Sequence, residues 1–216
     1  MLSHGGIAGY LVSGKIDNCH SKNIIIQTGG NYGGGIIGYA AGTIIKCTNS
    51  GTVIGIADNQ GGIVGKISTS ITVIECYNSG KIRGKVCVGG IVGDCYSGYG
   101  QDISLCHNSG EVKGTDYVGG ISGYLGAVNS DPKAKEDKCY NKGRVINTES
   151  TEKIGGIAGS IVADANVTNC YFLSGIGVNK GIGGTGDYVD AQNAGAIATN
   201  VDLKSYEEFI TWIEEQ

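Results

Sequence analysis

The stretch GGIVGKISTSITVIECYNSGKIRG, residues 61–84, decides the architecture. It sets out a glycine pair followed by isoleucine, then a cysteine, then an Asn-Ser-Gly turn, and the same order returns along the chain. Glycine pairs fall at Gly5-Gly6, Gly34-Gly35, Gly61-Gly62, Gly89-Gly90, Gly119-Gly120 and Gly155-Gly156, spaced 29, 27, 28, 30 and 36 residues apart. Each opens a pentapeptide: GGIAG, GGIIG, GGIVG, GGIVG, GGISG, GGIAG. Each copy then carries one cysteine: Cys19, Cys47, Cys76, Cys106, Cys139 and Cys170. Four of these begin CTNSGTV, CYNSGKI, CHNSGEV and CYNKGRV, while the first (CHSKNII) and last (CYFLSGI) drift, as terminal repeats do.

A period near 28 residues is too short for two packed helices, and no 3.6-residue apolar rhythm runs through it. The apolar pieces are brief and β-branched, with glycine, serine or asparagine between them, which is strand chemistry. The repeat therefore predicts an all-β fold: a parallel β-solenoid of about six coils over residues 1–180, with three short strands per coil. Coils would sit about 4.8 Å apart, and parallel crossovers favour right-handed winding.

Stacking turns each repeat position into a column. The glycine pairs are expected to allow left-handed φ at a corner and to leave no Cβ where backbones press together. Ile7, Ile36, Ile63, Ile91, Ile121 and Ile157 form one inward column; Val53, Ile82, Val112 and Val145 form another; the six cysteines form a third. Asn49, Asn78, Asn108 and Asn141 form an amide ladder, each bonding its neighbour.

Stacked cysteines would hold their Cβ atoms about 4.8 Å apart, against the roughly 3.5–4.5 Å of a disulfide. No C-x-x-C pair supplies zinc-ribbon spacing. The ladder cysteines are read as small buried hydrophobes. Cys87 and Cys95 stand outside the column and flank one GGIVG; a bond between them stays open.

Composition excludes several classes. Of 216 residues, 40 are glycine and one is proline, without a Gly-X-Y period, so the chain is not collagen. Apolar residues make up 40%, which excludes a disordered chain. Net charge is −4, with a pI near 5.3 and no basic cluster, so no nucleic-acid partner is expected. No apolar run reaches the roughly 18 residues of a membrane helix, and the start, MLSHGGIAGY, lacks the build of a signal peptide.

Motif matches are weak. GIGGTG at 181–186 fits G-x-G-x-x-G but follows no βα unit, and GYLVSGKI at 9–16 has Ile16 where a phosphate loop needs serine or threonine. GGTGDYVD at 183–190 is a single imperfect match to a calcium nonapeptide that works only in stacked copies. Neither H-E-x-x-H nor G-x-S-x-G occurs. Parallel solenoids can be carbohydrate-active enzymes with clustered carboxylates. Here Asp58, Glu75, Asp94, Asp102, Glu111 and Asp116 scatter over different repeat positions, so no catalytic residue, metal site or cofactor is expected.

The residue after each ladder cysteine is His20, Thr48, Tyr77, His107, Tyr140 and Tyr171. By strand alternation this column faces outward. Its rings suit sugar stacking or a partner contact; alternatively they brace one another or a neighbouring loop. The repeat stops near residue 178, and residues 181–216 form a capping segment with a helix at about 205–215. Ser205 and Glu208 make a capping box, and Tyr206, Phe209, Trp212 and Ile213 share a stripe suited to plugging the last coil. No such cap precedes Gly5, which suggests a fragment of a longer protein.

GGIVG followed by CYNSGKIRG resembles the GLUG repeat of bacterial secreted and surface proteins, some of them large immunoglobulin-cleaving metallopeptidases. The ending DLKSYEEFITWIEEQ looks like the segment that closes such arrays. The likeness spans residues 5–216 and is most specific from Gly34 to Gly143. It implies an extracellular or cell-surface β-solenoid that binds a glycan or a host or cell-surface protein, or that serves as a passive stalk. It carries no catalytic residue. The insertion GAVNSDPKAKEDK at 126–138 is a candidate lateral binding loop.

Overall fold

The computed structural model describes residues 2–27, 29–97, 99–127, 133–149, 152–162, 165–173, 175–185, 198–201, 207, 208, 211 and 214. The chain is a parallel β-solenoid. Each coil lays one short strand on each of five faces, A to E in chain order, rather than the three expected. In the third coil these are Gln60–Gly61, Val64–Ile67, Thr72–Ile74, Tyr77–Asn78 and Ile82–Arg83. A 28-residue circuit closes with five pieces because every strand is only two to six residues long, leaving room for five corners. Among the described residues, five coils are complete and a sixth lacks a strand on face E. Pairing continues past residue 180: Ile182–Thr185 extends face B and Ala198–Val201 extends face D.

Alternation within these strands builds the core. On face C, Ile16, Ile44, Val73, Ile103, Glu136 and Val167 share one inward position. On face E, Ile25, Val53, Ile82, Val112 and Val145 share another. The isoleucines after the glycine pairs are fully buried from Ile36 to Ile157, whereas Ile7 is 48% exposed. It lies in the first coil, which has a described neighbour on one side only. Cys47, Cys76, Cys106, Cys139 and Cys170 are buried and Cys19 is half-buried. All eight cysteines are free thiols, and Cys87 and Cys95 are not bonded to each other. Cys95 shares the inward file of Ile67 and Leu125, while Cys87 lies in an outward file on face A.

The glycine pairs work through space alone, since none of them has positive φ. One carbonyl, Ile63 O, accepts from both Ile36 N and Ile37 N, so the chain bends sharply between faces A and B. A Cβ on Gly34 would meet Ile37 O at 2.0 Å, and one on Gly62 would meet Gly90 O at 2.0 Å. Left-handed backbone falls elsewhere: on Asn59, Cys87 and Tyr117 of face A, and on the residue before each ladder cysteine, Asn18, Lys46, Glu75, Leu105, Lys138 and Asn169, with φ between 50 and 53° in this second set. This turn brings each thiol back to its own coil: Cys76 Sγ donates to Ile74 O at 3.3 Å and Cys106 Sγ to Ser104 O at 3.2 Å. Cysteine therefore supplies a weak donor as well as an apolar filler.

The asparagine column is a continuous amide ladder. Asn49 Nδ2 donates to Asn78 Oδ1, Asn78 Nδ2 to Asn108 Oδ1, and Asn108 Nδ2 to Asn141 Oδ1, at 2.7–2.8 Å. Each amide also closes a turn on the glycine two residues on, as donor and as acceptor. Ser21 takes the position before the ladder and Phe172 the position after it.

Glu207, Glu208, Thr211 and Glu214 have helical backbone, and Thr211 Oγ1 donates to Glu207 O at 2.9 Å. Glu207 borders a hollow on face D beside Tyr77, His107 and Tyr140. This places it against the side of coils three to five rather than over the last coil as a plug. Ser205, the stripe Tyr206, Phe209, Trp212 and Ile213, and insertion residues 128–132 lie outside the described residues.

Candidate functional site

The column after the ladder cysteines forms in register: His20, Thr48, Tyr77, His107, Tyr140 and Tyr171 follow one another along face D. It is not an open platform. Tyr77 and His107 stack with centroids 3.9 Å apart and planes 19° apart, so each ring covers a face of the other. Tyr77 OH bonds Ser109 Oγ at 2.7 Å, and exposed His20 bonds Thr48 Oγ1 through Nδ1 at 2.7 Å. Tyr140 keeps the register of the file but is only 1% exposed, which corrects its reading as an exposed ring. Burial draws His107 down to about 4 against the opposing pull of Glu207, so its ring is neutral at physiological pH. The hollow between Tyr77, His107, Tyr140, Lys142 and Glu207 measures about 240 Å³. The column braces itself and a neighbouring segment.

A more open aromatic surface lies across faces A and B. The residue after each GGIxG pentapeptide points outward on face B: Tyr10, Tyr39, Lys66, Asp94, Tyr124 and Ser160. The residue two before each glycine pair lines face A beside them: Ser3, Tyr32, Asn59, Cys87, Tyr117 and Lys153. The two files meet because the glycine corner turns the chain tightly between A and B.

Tyrosines gather at both ends of this strip. Tyr10 stacks flat on Tyr39 at 4.6 Å, with Tyr32 tilted against Tyr39 at 5.3 Å. Three coils on, Tyr124 packs between Tyr96 at 5.3 Å and Tyr117 at 5.0 Å, and Lys153 Nζ lies 4.3 Å over the Tyr117 ring. Tyr10 is 54% and Tyr96 39% exposed. Between the clusters, Lys66 Nζ pairs with Asp94 Oδ2, and both side chains are largely covered. Burial pulls the Lys66 ammonium down, but Asp94 more than offsets this and leaves it above its usual value. Burial, with Tyr117 and Tyr96 beside it, pushes Tyr124 up to about 12.

Lys66 and Asp94 neutralise each other, and Lys153 Nζ donates to Tyr117 OH at 2.9 Å. Burial pushes the Cys87 thiol up, which lowers its thiolate fraction. Five of the six scattered acids take a cation partner: Glu75 with Lys46, Asp94 with Lys66, Asp102 with Lys135, Glu111 with Arg83 and Asp116 with Lys153. A hollow of about 620 Å³ beside the incomplete sixth coil is lined by Arg144, Ile146, Asn147 and Lys180, with no carboxylate in its lining. The strip escaped the sequence reading, yet its signal was present: tyrosine recurs in GGIAGY, GGIIGY and GGISGY.

Fold and strip define a parallel β-solenoid with a lateral, tyrosine-rich surface. A solved structure of a candidate immunoglobulin A1 protease from Bacteroides ovatus is similar to this chain, with TM-score 0.64 and 20% identity over 97% of this chain and 70% of that one. At that identity the likeness shows the shared fold alone. No protein-family model matches the chain, and no curated protein matches it significantly.

Proposed function

We propose that the chain is a non-catalytic GLUG-type module of an extracellular or cell-surface protein, binding a glycan or a protein along faces A and B. The observation that carries this reading is the outward strip of Tyr10, Tyr39 and Tyr124 with Tyr96 and Tyr117 beside them and buried Tyr32 packed against Tyr39, all held by a rigid scaffold. Tyrosine supplies large contact area at low entropic cost, and neighbouring serine, glycine and asparagine supply adaptable hydrogen bonds. The paired state of the acids speaks against glycosidase chemistry, which needs two free carboxylates about 5–10 Å apart.

A passive stalk, holding a peptidase or other domain away from the cell, is the second reading. The self-stacked rings of face D favour it, since they stiffen the solenoid without offering a surface. A glycan array, together with capture on immobilised cell-surface proteins, separates the two. The binding reading expects a retained ligand that is lost in Tyr39→Ala and Tyr124→Ala while their melting temperatures stay close to wild type. Retention unchanged in both variants removes faces A and B as the binding surface, and no retention by the wild type favours the stalk.

A further inference from the structure

The inward file of face C is apolar in every coil but one. Ile16, Ile44, Val73, Ile103 and Val167 share it with Glu136, which is fully buried between Ile103 and Val167. Across the core, the inward file of face B runs Ile37, Val64, Val92, Ser122 and Ala158, and its one hydroxyl lies in the same fifth coil as Glu136. Ser122 is also fully buried and is the hydrogen-bonding side chain that faces the carboxyl. Neither carboxyl oxygen has a well-formed hydrogen bond to the protein, and no cation pairs with Glu136 among the described residues. The titratable groups around it are the thiols of Cys139 on its own coil, Cys95 on the coil before and Cys170 on the coil after. None of these can carry positive charge.

An ionised carboxylate in such a place lacks any compensation for its lost hydration, whereas the neutral acid needs only a hydroxyl neighbour. We propose that Glu136 is a proton-binding site built into the core, and that the fifth coil closes around the neutral carboxylic acid with Ser122 as its partner. Burial, reinforced by Cys139 and opposed by Ser122, acts in the same sense by pushing the carboxyl well above the usual range.

The sign of the linkage follows. The unfolded chain releases this proton near the ordinary glutamate value of about 4.3, while the folded chain keeps it. The stabilising contribution is complete below that value and declines as pH rises, until the folded carboxyl itself ionises. Between about pH 5 and 7 the site raises the unfolding constant up to tenfold per pH unit.

Urea unfolding of the full chain across this range, for wild type, Glu136→Gln and Glu136→Ile, tests the proposal. Other titrating groups are common to all three, so the difference isolates Glu136. The expected result is a pH slope in wild type that is reduced in both variants, with Glu136→Ile, which repeats Ile103, gaining most at pH 7. Should the glutamine variant fail to fold, the isoleucine variant gives the same comparison. An infrared carboxylic-acid band at pH 7, present in wild type and absent in either variant, is the second readout. Equal slopes in wild type and variants, or a wild type with no such band, overturns the proposal.

Discussion

Asn78 and Asn108, thirty residues apart in sequence, lie one above the other, with Asn78 Nδ2 donating to Asn108 Oδ1 at 2.7 Å inside the core. Each amide bonds in two directions: along the stack to the next amide, and within its own coil to the following glycine. Removing one therefore disturbs three coils. Asn78→Ala is expected to cost about 2–4 kcal/mol, because buried donors and acceptors on both sides lose a partner. Asn78→Asp should cost more at neutral than at acid pH, since the carboxylate sets acceptor against acceptor at Asn108. Urea unfolding at both pH values measures the two effects.

The corner before each ladder cysteine makes a different demand. Glu75 holds φ at 52°, where β-branched residues are strongly disfavoured. Glu75→Val should destabilise by about 1–3 kcal/mol, whereas Glu75→Gly should stay within about 1 kcal/mol of wild type. Thermal melts of the pair distinguish corner strain from loss of the exposed Lys46 ion pair, which both variants share.

Gly90 has no room for a side chain. A Cβ there would lie 2.1 Å from Gly120 O and 2.5 Å from Asn108 Cγ, so Gly90→Ala forces two coils and the amide ladder apart. A loss of about 3 kcal/mol or more is expected. Gly29, whose Cβ would meet nothing within 4 Å, is the control, and Gly29→Ala should match wild type in the same melt.

The thiol column should be chemically silent in the folded chain. The inner thiols Cys47, Cys76, Cys106, Cys139 and Cys170 are fully buried, and Cys19 is the half-buried member of the file. Alkylation followed by mass spectrometry should label Cys19 first and the inner five only after denaturation. Cys76→Asp should prevent folding, because it places an unpaired charge at a fully buried position. A stable Cys76→Asp chain would refute the inward assignment.

Much of this was legible in the repeat. Six copies of one pattern imply stacking, and stacking alone makes columns of Ile63 and Ile91, of Val53 and Ile82, and of Asn78 and Asn108. Other features were not legible, because they depend on corners. A motif shows that glycines recur but not whether they serve by φ or by space; here the left-handed turns fall on Lys46, Glu75 and Leu105, residues with no local signature for it. Spacing alone puts the aromatic column after the cysteines on one file, yet its exposure is decided by Tyr77 stacking on His107 and by Glu207 lying alongside.

Sequence by itself determined the period, the parallel stack and the identity of each column, since translation of one pattern by a fixed repeat leaves no other way to bury its apolar positions together. Tertiary structure decided the number of faces and which outward files meet. Tyr39 and Tyr32 come together only because the chain turns sharply at Gly34-Gly35, and Glu136 meets Ser122 only because faces B and C enclose one narrow core. Angles between strands are set by steric contact between coils, and no spacing along one coil encodes them.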